Sequence, residues 1–245
     1  MGYVFDFQDA QAWQHWVEGP TVSRALDLQA WLMGDMLSPR RLDSVLSIGC
    51  GTCRHLRPFI EGGVDVTGID PSPYMLDIAR ERFGRRAELR RGTAEDLPFD
   101  DNAFNHAVLF LALEFVEDPV QALSEAFRVA KDRVFIGIWN RRAPHRPRRV
   151  AHRTAPTFLE HARFFSIREI RRHVNALVGA VPTSYRTVGQ FPFGAGGRAL
   201  WLERRRLVQH CPFGVFAGLV VTPVPRFRVR PLDLTCAPEQ RPVAG

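Results

Sequence analysis

The chain has 245 residues, 45% hydrophobic and 24% charged, an ordinary globular composition that excludes wholesale disorder, a collagen-like repeat and a disulfide-stapled miniprotein. The length suits one large domain with additions better than two full ones. The net charge of +7 is uneven, because 19 arginines against five acidic residues follow Asn140, which leaves +14 there and −7 before.

Lys131 is the single lysine among the 33 basic residues, so the arginine excess reads as coding bias as much as selection, and nucleic acid is not the expected partner. No window holds the eighteen or more apolar residues of a membrane span, and the start "MGYVFDFQDAQ" lacks the basic and apolar stretches of a secretory signal. The expected location is the cytoplasm, with Cys50, Cys53, Cys211 and Cys236 as reduced thiols.

Residues from about Phe5 to Leu37 read as helical, carrying Trp13, Trp16 and Trp31. From Asp43 to Asn140 short apolar runs alternate with amphipathic stretches, as in a parallel sheet covered on both faces. "SVLSIG" is a first strand, "CRHLRPFIEG" a short helix closed by Gly62 and Gly63, and "VDVTGID" a second strand. Ser72 as N-cap and Pro73 at the first helical position open a helix that Gly84 stops. "AELRRGTAEDLPF" is a short strand and a polar loop, "AFNHAVLFLAL" a fourth strand, "DPVQALSEAFRVA" a helix opened by Asp118 and Pro119, and "RVFIGIW" a fifth strand. A helix between the third and fourth strands is missing or very short.

Beyond Asn140, "RRAPHRPRRVAHRTAP" reads as a loop or cover, and "SIREIRRHVNALVG" as a helix with Ser166 and Glu169 forming a capping box. "TSYRTVG" and "RALWLERR" read as a late strand pair, and the apolar segment after Cys211 has no assigned place. The expected organisation is a helical cover over 1–40, a ligand-binding core over 41–140, the rest of the fold with the arginine-rich loop over 141–210, and an extension over 211–245.

Gly49, Cys50 and Gly51 follow a buried strand and precede a helix, where small residues let a ligand approach the backbone. Asp70 ends the next strand 21 residues after Gly49, where a carboxylate accepts hydrogen bonds from ribose hydroxyls. Glu95 and Asp96 follow the third strand, where a side-chain acceptor can meet an adenine amine. A dinucleotide site is disfavoured, because Arg54 stands where the third glycine of G-x-G-x-x-G belongs.

On "VLSIGCGTCRHL", "VTGIDPSPYMLDIAR", "GTAEDLPFDDNAFNHAVLFLALEFVEDP" and "ARFFSIREIRR", the chain resembles the class I S-adenosylmethionine-dependent methyltransferases, and within them the ubiquinone- and menaquinone-pathway (methyltransferase type 11) group. The resemblance implies an α/β, Rossmann-like, doubly wound sheet of seven strands, mostly parallel with an antiparallel last strand and helices on both faces. It also implies S-adenosylmethionine as cofactor and S-adenosylhomocysteine as product, with the methionine portion near Gly49, Cys50 and Gly51, ribose at Asp70, and adenine near Pro71, Glu95, Asp96 and Leu97. The sequence departs from the family's "GCGTG" at Cys53, which is expected to narrow the room beside the cofactor.

The expected activity is methyl transfer to a small organic acceptor by in-line displacement, which needs alignment and desolvation more than acid–base chemistry. Where a base is required, Glu114 after the fourth strand is the first candidate, then His55, Tyr74 and His145. Glu114 has a second reading as a group that solvates the turn before Asp118. Tyr3, Trp13 and Trp16 read either as core packing or as a lid. The Cys50–Cys53 pair, a C-x-x-C at the start of a helix, reads either as an arrangement that lowers a thiol pKa or supplies half a zinc site, or as an ordinary loop residue at Cys50 with a substitution at Cys53. The loop from Arg141 to Arg153 is open to three readings: solvated surface, an anion site, or RNA contact. The rivals to the enzyme are a catalytically silent cofactor-binding scaffold and an RNA methyltransferase. Oligomeric state is not legible.

Overall fold

The computed structural model describes residues 2–144, 156–191 and 197–223. Helix α1 (Phe7–Glu18) opens with a reciprocal capping box between Asp6 and Asp9. Gly19 separates it from α2 (Pro20–Leu37), which starts on proline and buries Leu26, Ala30, Met33 and Leu37 along one side. Strand β1 (Ser44–Ile48) leads through a 3-10 turn at Arg54–Leu56 into the short α3 (Arg57–Glu61). Then come β2 (Asp65–Asp70), α4 (Pro73–Phe83), β3 (Glu88–Arg91), β4 (Phe104–Phe110), α5 (Pro119–Val129) and β5 (Ala130–Trp139). The caps act as expected: Ser72 Oγ accepts the Met75 N–H, and Asp118 accepts the Val120 and Gln121 N–H groups. No helix lies between β3 and β4.

The later part supplies α6 (Phe158–His161), α7 (Ile167–Val178), β6 (Thr183–Val188), α8 (Gly197–Glu203), α9 (Arg206–Gln209) and β7 (Phe216–Val221). The strands form one sheet in the order β3-β2-β1-β4-β5-β7-β6. The first five pair in parallel, and β7 runs antiparallel to both β5 and β6. Among the described residues no helix is long and apolar enough to cross a membrane.

The sheet has a core on each face, and the strands divide their residues between the two with the period of two that a pleated strand imposes. Val45, Val108 and Phe135 join α2, α3 and α4 in one core. Leu46, Leu109, Val134 and Ile136 join α5 and α7 in the other.

Two expectations are corrected. "RALWLERR" lies largely in α8, not in a strand: its alanine, leucines and arginines favour a helix, and from there Glu203 reaches back to accept the Gly189 and Phe191 N–H groups at 3.0 and 2.9 Å. The partner of β6 is β7, a wholly buried apolar run inside the segment expected to be an extension, so the sheet continues past residue 211. The capping box at α7 is half made. Ser166 accepts the Glu169 N–H, while the Glu169 carboxylate turns to Arg141 at 3.2 Å and Arg163 at 3.7 Å.

Candidate functional site

At the carboxyl ends of β1, β2 and β4 a cleft encloses about 1160 Å³ of space, its open mouth included. That sheet edge is where open α/β folds bind ligands. One wall is the loop after β1. Gly49 has φ +64 and Gly51 φ +51, conformations that glycine enters freely. A Cβ on Gly49 would stand 2.6 Å from Ala112 Cβ, whereas one on Gly51 would meet nothing within 4 Å. The loop therefore packs against the end of β4 at its first glycine and faces open space at its second.

Asp70 closes β2 and holds this loop. Its Oδ2 accepts the Gly51 N–H at 2.8 Å and its Oδ1 the Ser72 N–H at 2.9 Å. Burial pushes the carboxyl up to about 6, against the two backbone N–H groups that favour the ionised form. Each oxygen keeps a lone pair for a ligand. Gly49, Cys50, Gly51, Asp70, Pro71 and Glu95 all line the cleft, with Thr93 and Ala94 beside them.

Asp96 and Leu97 are not in that wall. Asp96 is exposed and Leu97 is buried in the core on the α5 side, its N–H bonded to Glu125 at 2.9 Å. Glu95 also has a structural role, since its Oε1 accepts the Glu117 N–H at 3.0 Å and fastens the loop to the start of α5.

Cys53 takes φ 55 and ψ 13, the left-handed region, at the position where the resembling family has glycine. Its side chain is fully buried in the core beneath the loop and does not line the cleft. The expected narrowing is thus not seen. The departure from glycine falls on the backbone instead. The hydrogen bond to Cys53 and burial together push the Cys50 thiol well above its ordinary value. Cys50, Cys53 and Cys211 are free thiols, and Cys236 lies outside the described residues. Among the described residues no group of three His, Cys, Asp or Glu side chains is placed to hold a metal ion.

Glu114, the first candidate base, is absent from the cleft wall. It is 1% exposed, Oε1 accepts the Trp139 N–H at 2.7 Å, and Oε2 has no partner. Desolvation raises it to about 8, which keeps it protonated at neutral pH. Its place at the crossing of β4 and β5 ties the two strand ends together. Tyr74 is exposed beside Phe7, and His145 lies outside the described residues, as does most of the arginine-rich loop.

His55 does line the cleft. Its ring stacks on Phe110 at 4.5 Å, and its Nε2 meets Ser47 Oγ at 3.1 Å. Burial lowers it to about 3, so it is neutral across the physiological range. The remaining walls were not foreseen. Phe110, Leu111 and Ala112 stand at the end of β4, and Val17, Leu26 and Ala30 come from α1 and α2. Leu111 has φ +54, a strained setting for a leucine. The end of β4 was predictable from the rule that ligands bind at strand carboxyl ends; the α1 and α2 residues depend on tertiary packing.

Tyr3, Val4, Phe5 and Trp13 cover the same space. The cover is fastened, with the Tyr3 N–H on Phe115 O at 2.8 Å and Ser72 Oγ–H on Phe5 O at 2.7 Å. Trp13 and Trp16 pack on Phe158, and Trp16 also meets Trp139 edge-on. Tyr3, Phe5 and Trp13 therefore both pack and cover, whereas Trp16 packs without lining the cleft.

Residues 46–136 match the family model described as a methyltransferase domain. Among curated proteins, an uncharacterized methyltransferase of Mycobacterium tuberculosis is 37% identical over 109 residues, 44% of each chain. A demethylmenaquinone methyltransferase of Tropheryma whipplei is 39% identical over 97 residues, 39% of this chain and 41% of the other. A SAM-dependent methyltransferase of Thermotoga maritima, described as a possible histamine N-methyltransferase, superposes with a TM-score of 0.70 at 25% identity, covering 88% of this chain and 96% of that one. The core of this chain is a class I methyltransferase domain. The stretch aligned spans less than half the length of the curated relatives. The methyltransferase domain holds the loop after β1 and Asp70, while the cover over the cleft comes from residues ahead of residue 46.

Proposed function

We propose that the chain transfers a methyl group from S-adenosylmethionine to a small, largely apolar organic acceptor. One observation carries this reading: a glycine loop tied to a half-spare carboxylate opens into a cleft whose opposite walls are aromatic and aliphatic. Asp70 would take the ribose hydroxyls, the Gly49–Gly51 backbone the methionine portion, and Pro71, Ala94 and Glu95 the adenine side. The cofactor, when bound, supplies an electrophilic methyl on a sulfonium.

The chain's own contribution is alignment and exclusion of water. Phe110, Leu111, Phe115, Trp13, Leu26 and Ala30 make an apolar compartment beside the loop, which suits an apolar or ring-bearing acceptor. His55, neutral and held by Ser47 through Nε2, leaves Nδ1 for a hydrogen bond to the acceptor. A neutral imidazole also adds no positive charge beside a cationic cofactor. Glu114 has no part in this chemistry. The fastened segment Tyr3–Phe5 serves as the lid.

The test is calorimetric titration with S-adenosylmethionine and S-adenosylhomocysteine, with Asp70→Ala alongside. Micromolar binding that the variant loses is the expected result, followed by a screen of apolar acceptors for the mass of one added methyl group. Absence of binding by the wild-type protein would favour the silent scaffold.

A further inference from the structure

The loop after β1 carries two thiols that this reading does not use. Cys50 and Cys53 are the ends of a four-residue turn closed by the Cys53 N–H on Cys50 O at 2.9 Å. Such a turn brings its end Cα atoms within about 7 Å, the span that a disulfide bridges with small adjustment. The Cys50 thiol donates to the carbonyl of Gly51, the residue between the two cysteines on the Cys50 side, at 3.7 Å. Both side chains are buried, but Cys50, 2% exposed, lines the cleft, and Cys53 lies behind it with no exposed surface. Cys53 is also held in a backbone region that glycine enters without strain, so a thiol sits at this point against the local conformational preference.

We propose that Cys50 and Cys53 are a redox modification site, joined by a reversible disulfide when hydrogen peroxide enters the cleft, and that the disulfide and the cofactor exclude each other. The Cys50 thiol attacks one peroxide oxygen as its proton passes to the other; the O–O bond breaks, an S–O bond forms, and the second oxygen departs with that proton as water. The Cys53 sulfur then attacks the Cys50 sulfenic sulfur, an S–S bond forms, and the sulfenic oxygen leaves as water. Two thiols are oxidised and one peroxide is reduced to two waters.

Closing the bond to about 2.05 Å draws the two ends of the turn together. Gly51 lies between them, and its N–H is the one that Asp70 holds, so the cradle shifts with the bond. A bound cofactor in turn covers Cys50. Exclusion in one direction therefore implies the same coupling in the other.

The inference rests on the proposed cofactor site, and the experiment separates the two. Cys50 and Cys53 fall in one tryptic peptide, Leu42 to Arg54, so the crosslink reads as a loss of two hydrogens and of two alkylation sites. The full chain, purified reduced, is treated with hydrogen peroxide with and without saturating S-adenosylhomocysteine, mapped by mass, and titrated with S-adenosylhomocysteine before and after. The expected result is a crosslinked peptide, an affinity at least about tenfold weaker that a phosphine reductant restores, and crosslinking slowed at least about tenfold by the ligand. In Cys53→Ser the peptide gains oxygen and forms no crosslink.

Alkylation of both thiols after peroxide, or a sulfinic acid at Cys50 in place of the crosslink, would overturn the proposal. So would a crosslinked protein of unchanged affinity. Reduced protein that binds no S-adenosylhomocysteine yet crosslinks would fail the cofactor reading and the mutual exclusion, while keeping the disulfide site.

Discussion

Asp70 Oδ2 accepts the Gly51 N–H at 2.8 Å, which joins the end of β2 to the loop after β1 and leaves the carboxylate buried at the cleft floor. Burial raises Asp70 to about 6. A ligand whose hydroxyls donate to this group prefers it ionised, so S-adenosylhomocysteine affinity is expected to fall as pH drops through about 6. Well below that value the fall approaches about tenfold per pH unit. For folding of the free protein the sign is the opposite: a carboxyl raised above its unfolded value contributes stability that is full below the unfolded value near 4 and is lost as pH rises through about 6. Calorimetry from pH 5 to 8 checks the first effect. An affinity that is flat over this range, or a pH dependence unchanged in Asp70→Asn, would remove Asp70 from the site.

Glu114 gives a second pH signature, in stability. Its folded value of about 8 lies far above that of an unfolded glutamate, so its contribution is full below about 4.5 and is lost as pH rises through about 8. Glu114→Gln keeps an oxygen to accept the Trp139 N–H and cannot ionise. Between pH 6 and 8 the wild-type protein is expected to lose stability relative to this variant by up to about 1.4 kcal/mol per pH unit. Denaturant unfolding at four pH values measures the difference. Unchanged S-adenosylhomocysteine affinity in the variant fits its place outside the cleft.

The strand-helix order was legible because β1, β2, β4 and β5 are buried over most of their length and each carries a short, mainly apolar stretch between amphipathic segments. The caps at Ser72 and Asp118 were legible for a local reason, since a side chain and the N–H groups it satisfies lie within three residues. β7 was hidden because its partners β5 and β6 are non-local and Pro223 stands two residues after its end. On the site, Gly49, Gly51 and Asp70 were legible through spacing. Glu114 was misplaced because a position after a strand does not say which way the side chain points. Val17, Leu26 and Ala30 carry no chemistry in sequence, and only the packing of α1 and α2 over the sheet brings them to the cleft.

Cys53 tests what its backbone conformation costs. A left-handed conformation costs a non-glycine residue about 1–2 kcal/mol, and removing a small buried thiol loses a similar amount. Cys53→Gly is therefore expected to stay within about 1 kcal/mol of the wild-type protein. Cys53→Val combines a β-branched residue in that region with extra volume in a closed core, and should lose at least about 2 kcal/mol. Chemical denaturation of both variants measures the contrast. Equal stability of the glycine and valine variants would mean that the turn relaxes away from φ 55.

Gly49 and Gly51 separate folding from binding within one loop. Both have positive φ, so alanine at either is strained by about 1–2 kcal/mol. At Gly49 the added methyl also stands 2.6 Å from Ala112 Cβ, a contact between two short side chains that only backbone movement can relieve. Gly49→Ala is expected to cost about 2–4 kcal/mol in stability. At Gly51 the methyl meets no protein atom within 4 Å and occupies cleft space, so the stability loss should stay near the conformational cost alone. Its S-adenosylhomocysteine affinity should fall at least about tenfold, because the space it fills is the space the ligand needs. Melting curves and calorimetry on the two variants therefore rank them in different orders: Gly49→Ala is the less stable, and Gly51→Ala, when folded, the weaker binder. If Gly51→Ala bound with undiminished affinity, the open space at this glycine would not be where the cofactor lies.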